Sequence, residues 1–351
     1  MVRRRCALVL LALGALLLAC RGASTPAAPL AREQPGPATA ATASPAPRAV
    51  RVAYVALSAS QAPPWIAVER GLFAKHGLAV ELTRVAGGEA IKALVAGELD
   101  FAFGPAGTAA LARLHGGDVA VIGSMIHTLP YEVWAGAAVA QPADLRGKRL
   151  GINRLGTTTD FVARFALRRW GLEPDRDVPL IQVGETGEML AAMERGAIDA
   201  AVMESLYGYL AAQQGSLHRL VNVSDLGLVY LFGGIETRRS LADSDPDLML
   251  RFLRATVEAI AVFKQEREFT LDILAKYTHL DDRAALAYSW EEHATRYFQR
   301  LPYPTREGYP LLVEEQAAVE PAIRQLDPAD LLLDRFVREL DTSGFADTLY
   351  R

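Results

Sequence analysis

Cysteine is almost absent from this 351-residue chain, which has two, Cys6 and Cys20. Both fall in the first twenty residues, so the remainder can form no internal disulfide and no thiol cluster, and its stability must come from packing. Histidine is scarce too: the six residues at 76, 115, 127, 218, 279 and 293 include no pair at short metal-ligand spacing, and no metal site is expected. Positive charge is not in excess. Thirty-seven Lys and Arg against 41 Asp and Glu give a formal charge of −4, which supplies no basic face for nucleic acid. There is no G-x-S-x-G elbow, P-loop, G-x-G-x-x-G fingerprint or H-E-x-x-H helix, so neither an enzyme nor a cofactor is expected. The apolar run Cys6–Leu18 falls short of the roughly 20 residues that span a bilayer.

That run follows Arg3, Arg4 and Arg5 and ends in "LLAC", the basic, apolar, small order of a secretory leader. "LLAC" resembles the lipobox of bacterial lipoproteins. This implies a signal peptide at 1–19, lipidation of Cys20 and attachment to a bacterial membrane from outside the cytoplasm. Loss of three arginines with the leader takes the charge from −4 to −7. Residues 20–48, mostly Ala, Pro, Thr, Gly and Ser, predict a flexible tether.

With 51% hydrophobic and 22% charged residues, the body can bury a large core. "VRVAYVAL" (50–57) predicts a strand, "PPWIAVERGLFAKHG" a helix with a glycine stop, and "LAVELTRV" (78–85) a second strand. Strand and helix signals alternate to about residue 240, the pattern of an α/β protein. Beyond Asp245 helices take over. Leu248, Phe252, Leu253, Val257, Ile260 and Phe263 recur at three- and four-residue spacing and predict a core-facing helix. "SWEEHATRYF" (289–298) predicts a solvated helix face rather than a metal site.

A weak internal repeat says more than any single segment. "ALVAGELDFAFGP" (93–105) and "AAMERGAIDAAVME" (191–204) align Gly97 with Gly196, Asp100 with Asp199 and Ala102 with Ala201, which predicts two lobes of similar build.

Four segments, "ERGLFAKHGLAVEL" (69–82), "ALVAGELDFAFG" (93–104), "PADLRGKRLGINRLGTTTDFVARFALRRWGLEP" (142–174) and "MLAAMERGAIDAAVME" (189–204), resemble in order and spacing one family. It is the family of solute-binding proteins of ABC importers for nitrate, sulfonates, taurine and thiamine-pyrimidine precursors. The resemblance covers about residues 50 to 240. It implies an α/β, two-lobed periplasmic-binding fold of type II with the ligand cleft between lobes. Lobe 1 would comprise 50–135 and 240–351, lobe 2 would comprise 136–239, and the crossings would lie near 131–137 and 228–236. It also implies a monomer that hands a small-molecule solute to an ABC permease with its ATPase.

Within that frame, strand ends and helix starts nominate the ligand site. Gly156 allows a tight turn, and Thr157, Thr158 and Thr159 at a helix start suit an anionic group. Ser58, Gln61 and Trp65 follow the first strand, while Gly104, Pro105 and Ala106 follow another. Tyr230 stands near the second crossing, and Tyr54, Phe103, Trp134 and Tyr207 are further aromatics near expected cleft segments. Glu204 ends the second repeat where the first has Pro105, and so should face the cleft. A carboxylate there favours a ligand bearing an amine or ring N–H, an aminopyrimidine, a flavin-like heterocycle or a zwitterion such as taurine, with an anionic, sulfonate-like solute as the alternative that the threonines suit. An enzyme of the thiamine-precursor type on the same fold, or a sensing lipoprotein without transport, would share these features.

Overall fold

The computed structural model describes residues 46–351 apart from 185, 214 and 216; the expected leader, Cys20 and most of the tether lie outside the described residues. Among the described residues ten strands carry the fold: β1 (Arg48–Tyr54), β2 (Leu78–Arg84), β3 (Phe101–Gly104), β4 (Ala120–Ile126), β5 (Tyr131–Gly136), β6 (Leu150–Ile152), β7 (Leu180–Gln182), β8 (Ala200–Glu204), β9 (Leu217–Asn222) and β10 (Phe232–Thr237). They form two five-stranded sheets ordered β2-β1-β3-β10-β4 and β7-β6-β8-β5-β9.

The two orders are one plan used twice. In each sheet a central strand pairs in parallel with two neighbours, and an antiparallel strand then joins the fifth. The chain leaves the first sheet after Ile126, enters the second at Tyr131, and returns between Asn222 and Phe232. The antiparallel member of each sheet, β5 or β10, therefore begins directly after a crossing.

Successive side chains on a strand point to opposite faces, and the burial follows that period. Phe101 and Phe103 pack under the helix Pro246–Gln265, while Ala102 between them faces the core shared with Ile91 and Leu94. On β8, Ala200 and Val202 take one face, and Ala201 and Met203 the other. All six apolar positions expected on the helix Pro246–Gln265 are buried, and Asp245 caps its start by accepting from the Leu248 N–H at 3.1 Å. At about 1.5–3 kcal/mol for each buried side chain, that stripe contributes on the order of 10 kcal/mol before ordering entropy is subtracted.

The repeat is structural. Arg51 donates to Gly97 O (2.9 Å) and pairs with Asp100 (3.2 Å), while Arg149 donates to Gly196 O (2.7 Å) and pairs with Asp199 (3.0 Å). In both copies the glycine ends a helix with positive φ, +80° and +65°, a conformation glycine adopts at little cost. The carboxylate then fastens the turn to β1 in the first copy and to the residue that precedes β6 in the second.

The segment 289–298 departs from its expectation of a solvated face. Glu291 is exposed, but Glu292 and His293 are buried. Glu292 joins Arg219 (3.3 Å) and Asn222 (2.7 Å) on β9, and Arg219 also holds the fully buried Glu132 of β5 at 2.8 Å. Burial depresses the His293 pKa to about 4, and its Nδ1 lies 2.8 Å from Ser289 O. Helical periodicity marked one exposed face. It could not show that β9 brings an arginine to cover the other.

Candidate functional site

The carboxyl ends of β1, β2, β3, β6 and β8 converge on one cleft, the place where α/β sheets present loops to ligands. An outer chamber of about 410 Å³ is bounded by Ala56–Ser58 after β1, Arg84 ending β2, Asn153 after β6, Thr159, Thr186, Gly187 and Tyr207. An inner chamber of about 190 Å³ is bounded by Ser60, Gln61, Gly104, Pro105, Ala106, Thr158, Tyr230 and Phe232. Val55, Ala56, Tyr131 and Glu204 line both.

Glu204 sits at the junction. It ends β8 directly opposite Tyr131 in the antiparallel pairing with β5, so the carboxyl and the phenol share one edge of the sheet. Dense protein around the carboxyl raises its pKa to about 7, against a hydrogen bond from Ser58 that favours the charged form, while part of the residue stays open to the cleft. Ser58 is itself held by Ser60 at 2.7 Å. The Tyr131 pKa is pushed well up, first by burial and then by the charges of Glu204 and Glu315.

The three threonine hydroxyls are engaged within the chain. Thr157 donates to Arg154 O at 2.7 Å and lies 3.0 Å from the Thr159 hydroxyl, which accepts from the Asn153 N–H at 3.0 Å. Thr158 bonds Glu315 on the helix Tyr309–Ala317, and Glu315 also accepts from the Tyr230 hydroxyl. Asp160 accepts from the Gly156 N–H at 2.9 Å. Thus two of the protein's own carboxyl groups, Asp160 and Glu315, occupy the helix start where an anion was expected. Burial raises the Glu315 pKa.

A third carboxyl lies behind the inner chamber. Glu236 on β10 is fully buried, accepts from the Gly104 N–H at 2.9 Å, and leaves its Oε1 without a partner among the described residues. Burial lifts its pKa to about 8, so it is largely neutral at pH 7. Gly104 and Gly234 are paired across the strands on either side of this carboxyl, and a Cβ on Gly234 would stand 2.1 Å from its Oε1.

Of the residues selected from sequence, Ser58, Gln61, Gly104, Pro105, Ala106, Thr158, Thr159, Glu204 and Tyr230 line the cleft. Trp65 does not reach it: the ring is fully buried, stacked on Tyr277 at 4.7 Å and edge-on to Tyr54 at 5.5 Å. Gly156 and Thr157 face a separate 240 Å³ cavity beside Arg164 and Glu314. Phe103 and Trp134 are core residues, and the Trp134 indole donates to Glu132 at 2.8 Å. Sequence reasoning missed Tyr131, Arg84, Phe232 and Glu315. Arg84 ends a strand it had identified, a position that alone could have nominated it. The others depend on long-range pairings with no local signal.

A model of the family described as NMT1/THI5 like matches residues 59–268. A Brucella abortus protein described as a binding protein is 30% identical over 236 residues, 66% of this chain and 72% of that one. The periplasmic aliphatic sulphonate binding protein SsuA from Escherichia coli superposes with a TM-score of 0.70 at 20% identity, over 82% of this chain and 93% of that one. The periplasmic nitrate-binding protein NrtA from Synechocystis PCC 6803 gives 0.62 at 16% identity, over 85% and 89%. Together with the repeated sheet plan, these likenesses identify the two-lobed α/β periplasmic-binding fold.

Proposed function

The chain belongs to the NMT1/THI5-like family, and from that premise we propose that it is the extracytoplasmic solute-binding component of an ABC importer. In this reading Cys20 carries a lipid, the tether keeps the body near the membrane, and the loaded protein, a monomer, docks on a permease with its ATPase. In this reading lobe 1 is about 50–130 and 232–351, shifted from the expected 50–135 and 240–351, and lobe 2 is the stretch between in place of 136–239; the pairing of Tyr131–Gly136 with β8 and β9, and of Phe232–Thr237 with β3 and β4, supports the shift. Ligand enters the cleft and the lobes close on it.

The solute is a small molecule with an amine or ring N–H, of the aminopyrimidine or related nitrogen-heterocycle class. The observation that carries this is the Glu204 carboxyl at the junction of two chambers, the inner of which has no cation among its described lining residues. An ionised carboxylate about 6 Å from a bare anion costs roughly 3 kcal/mol at an effective dielectric of 20. The same group accepting from a ligand N–H contributes about 1.5–3 kcal/mol. Tyr131, Tyr230 and Phe232 supply ring faces for a planar ligand. These features favour an N–H-bearing solute over the sulfonate and nitrate in the names of the structural neighbours.

Thermal unfolding against a ligand panel tests the reading, since a ligand bound only by the folded state raises the transition. Aminopyrimidines are expected to raise it and nitrate and simple alkanesulfonates to leave it unchanged. A shift with the bare oxyanions alone would overturn the N–H assignment, and turnover of a bound compound would replace binding by catalysis.

A further inference from the structure

Arg84 is the one cationic side chain among the described lining residues of the outer chamber. It ends β2 at the carboxyl edge of the first sheet and is exposed, and none of the described residues forms an ion pair or hydrogen bond with its guanidinium. This sets it apart from Arg51, Arg149, Arg164 and Arg219, each tied to a carboxylate. Glu204 bounds the same chamber, yet the two groups are not within ion-pair distance of each other. Opposite charges that face one cavity without pairing with each other leave room for a dipolar molecule to satisfy both ends. The polarity has a direction: Glu204 also borders the inner chamber, whose described lining residues include no cation, and Arg84 borders the outer chamber alone.

We propose that the solute carries an acidic group as well as its N–H-bearing ring, with the ring seated in the inner chamber against Glu204 and the acidic group held in the outer chamber by Arg84. This rests on the heterocycle reading above and adds to it a second specificity-determining residue and a binding orientation. A guanidinium presents paired N–H donors that match a carboxylate, phosphate or sulfonate. Asn153, Thr186 and Tyr207 border the same chamber and offer further polar contacts around that group.

The test uses the full-length chain and two probes, 4-amino-2-methylpyrimidine and the same ring bearing a carboxymethyl group at C5, titrated against the wild type and Arg84→Gln. The wild type is expected to prefer the acid-bearing compound by about tenfold or more. Arg84→Gln should abolish that preference while changing affinity for the uncharged ring by less than about twofold. Added salt should weaken binding of the acid-bearing compound to the wild type more than to the variant. Equal affinities for the two compounds in the wild type, or a preference that survives Arg84→Gln, would overturn the role of Arg84 and leave the Glu204 reading standing. If neither compound binds the wild type, both fall. Arg84 has no structural partner among the described residues, so the unliganded melting temperature of the variant should match the wild type and exclude a folding defect as the cause.

Discussion

At the scale of single residues, the cleft holds a carboxyl whose pKa burial lifts towards neutrality. Glu204, with its pKa raised to about 7, is mostly neutral at pH 6 and mostly ionised at pH 8. A ligand N–H prefers the ionised form, so affinity for an aminopyrimidine should climb as pH rises through about 7, and Glu204→Gln should flatten the profile. Affinities measured from pH 5.5 to 8.5 decide it, and a wild-type profile as flat as the variant's would remove Glu204 from ligand recognition. In the unliganded protein the linkage has the opposite sense. Its folded pKa stands above the ordinary 4.5, so the stability it contributes is full below about 4.5 and is lost as pH rises through about 7. Arg84, Tyr131 and Tyr207 are the other ionisable groups lining the outer chamber with Glu204.

At the scale of elements, two glycines make room for a third acid. Gly104 and Gly234 flank the Glu236 carboxyl where β3 meets β10, and the irregularity in β10 pairing at Ile235/Glu236 falls beside it. Gly234→Ala would drive a Cβ to 2.1 Å from the Glu236 Oε1, in a sheet with little room to yield, and should cost about 1–3 kcal/mol in denaturant unfolding. Combining it with Glu236→Ala should recover part of that loss. Additive losses would show that the clash lies elsewhere. The same elements mark what the sequence makes legible. Gly97 with Asp100 and Gly196 with Asp199 announced the two lobes, because a helix stop followed by a strand is a local event written in neighbouring residues. Their partners Arg51 and Arg149 went unnoticed, because a pairing across 49 or 50 positions leaves no trace in local spacing. Strand β9 carries no local signal for a related reason: Leu217–Val221 are all half-buried, so the alternation that betrays a strand with one wet face is absent. Trp65 looked like a ligand platform because it follows the first strand, and the stacking partner that makes it core, Tyr277, lies far along the chain.

At the scale of the whole molecule, the C-terminal helices do more than cover the first sheet. Tyr288 and Glu292 reach Arg219, Asn222 and Glu132 of the second sheet, and Tyr209 stacks on Tyr288 at 4.9 Å. A few residues later the chain rejoins the first sheet, where the Gln299 N–H donates to Met125 O at 3.0 Å and the Ser124 N–H donates to Pro302 O at 2.9 Å. Phe298 thus stands at a third link between the sheets, next to the π-helical turn His293–Tyr297. Arg219→Ala would leave Glu132 and Glu292 facing each other without their shared cation. Because Arg219 is about a third exposed, the loss belongs at the low end of the roughly 3–5 kcal/mol typical of a broken buried pair, and denaturant unfolding would measure it. An unchanged midpoint would mean that water already screens the cluster. The central claim, capture of an N–H-bearing solute through Glu204, is tested most directly by calorimetric titration at pH 8 of the wild type and Glu204→Gln with 4-amino-2-methylpyrimidine, nitrate and ethanesulfonate. The account predicts saturable binding of the aminopyrimidine alone, weakened about 10- to 100-fold in the variant. Tight binding of nitrate or ethanesulfonate that Glu204→Gln leaves unchanged would contradict it.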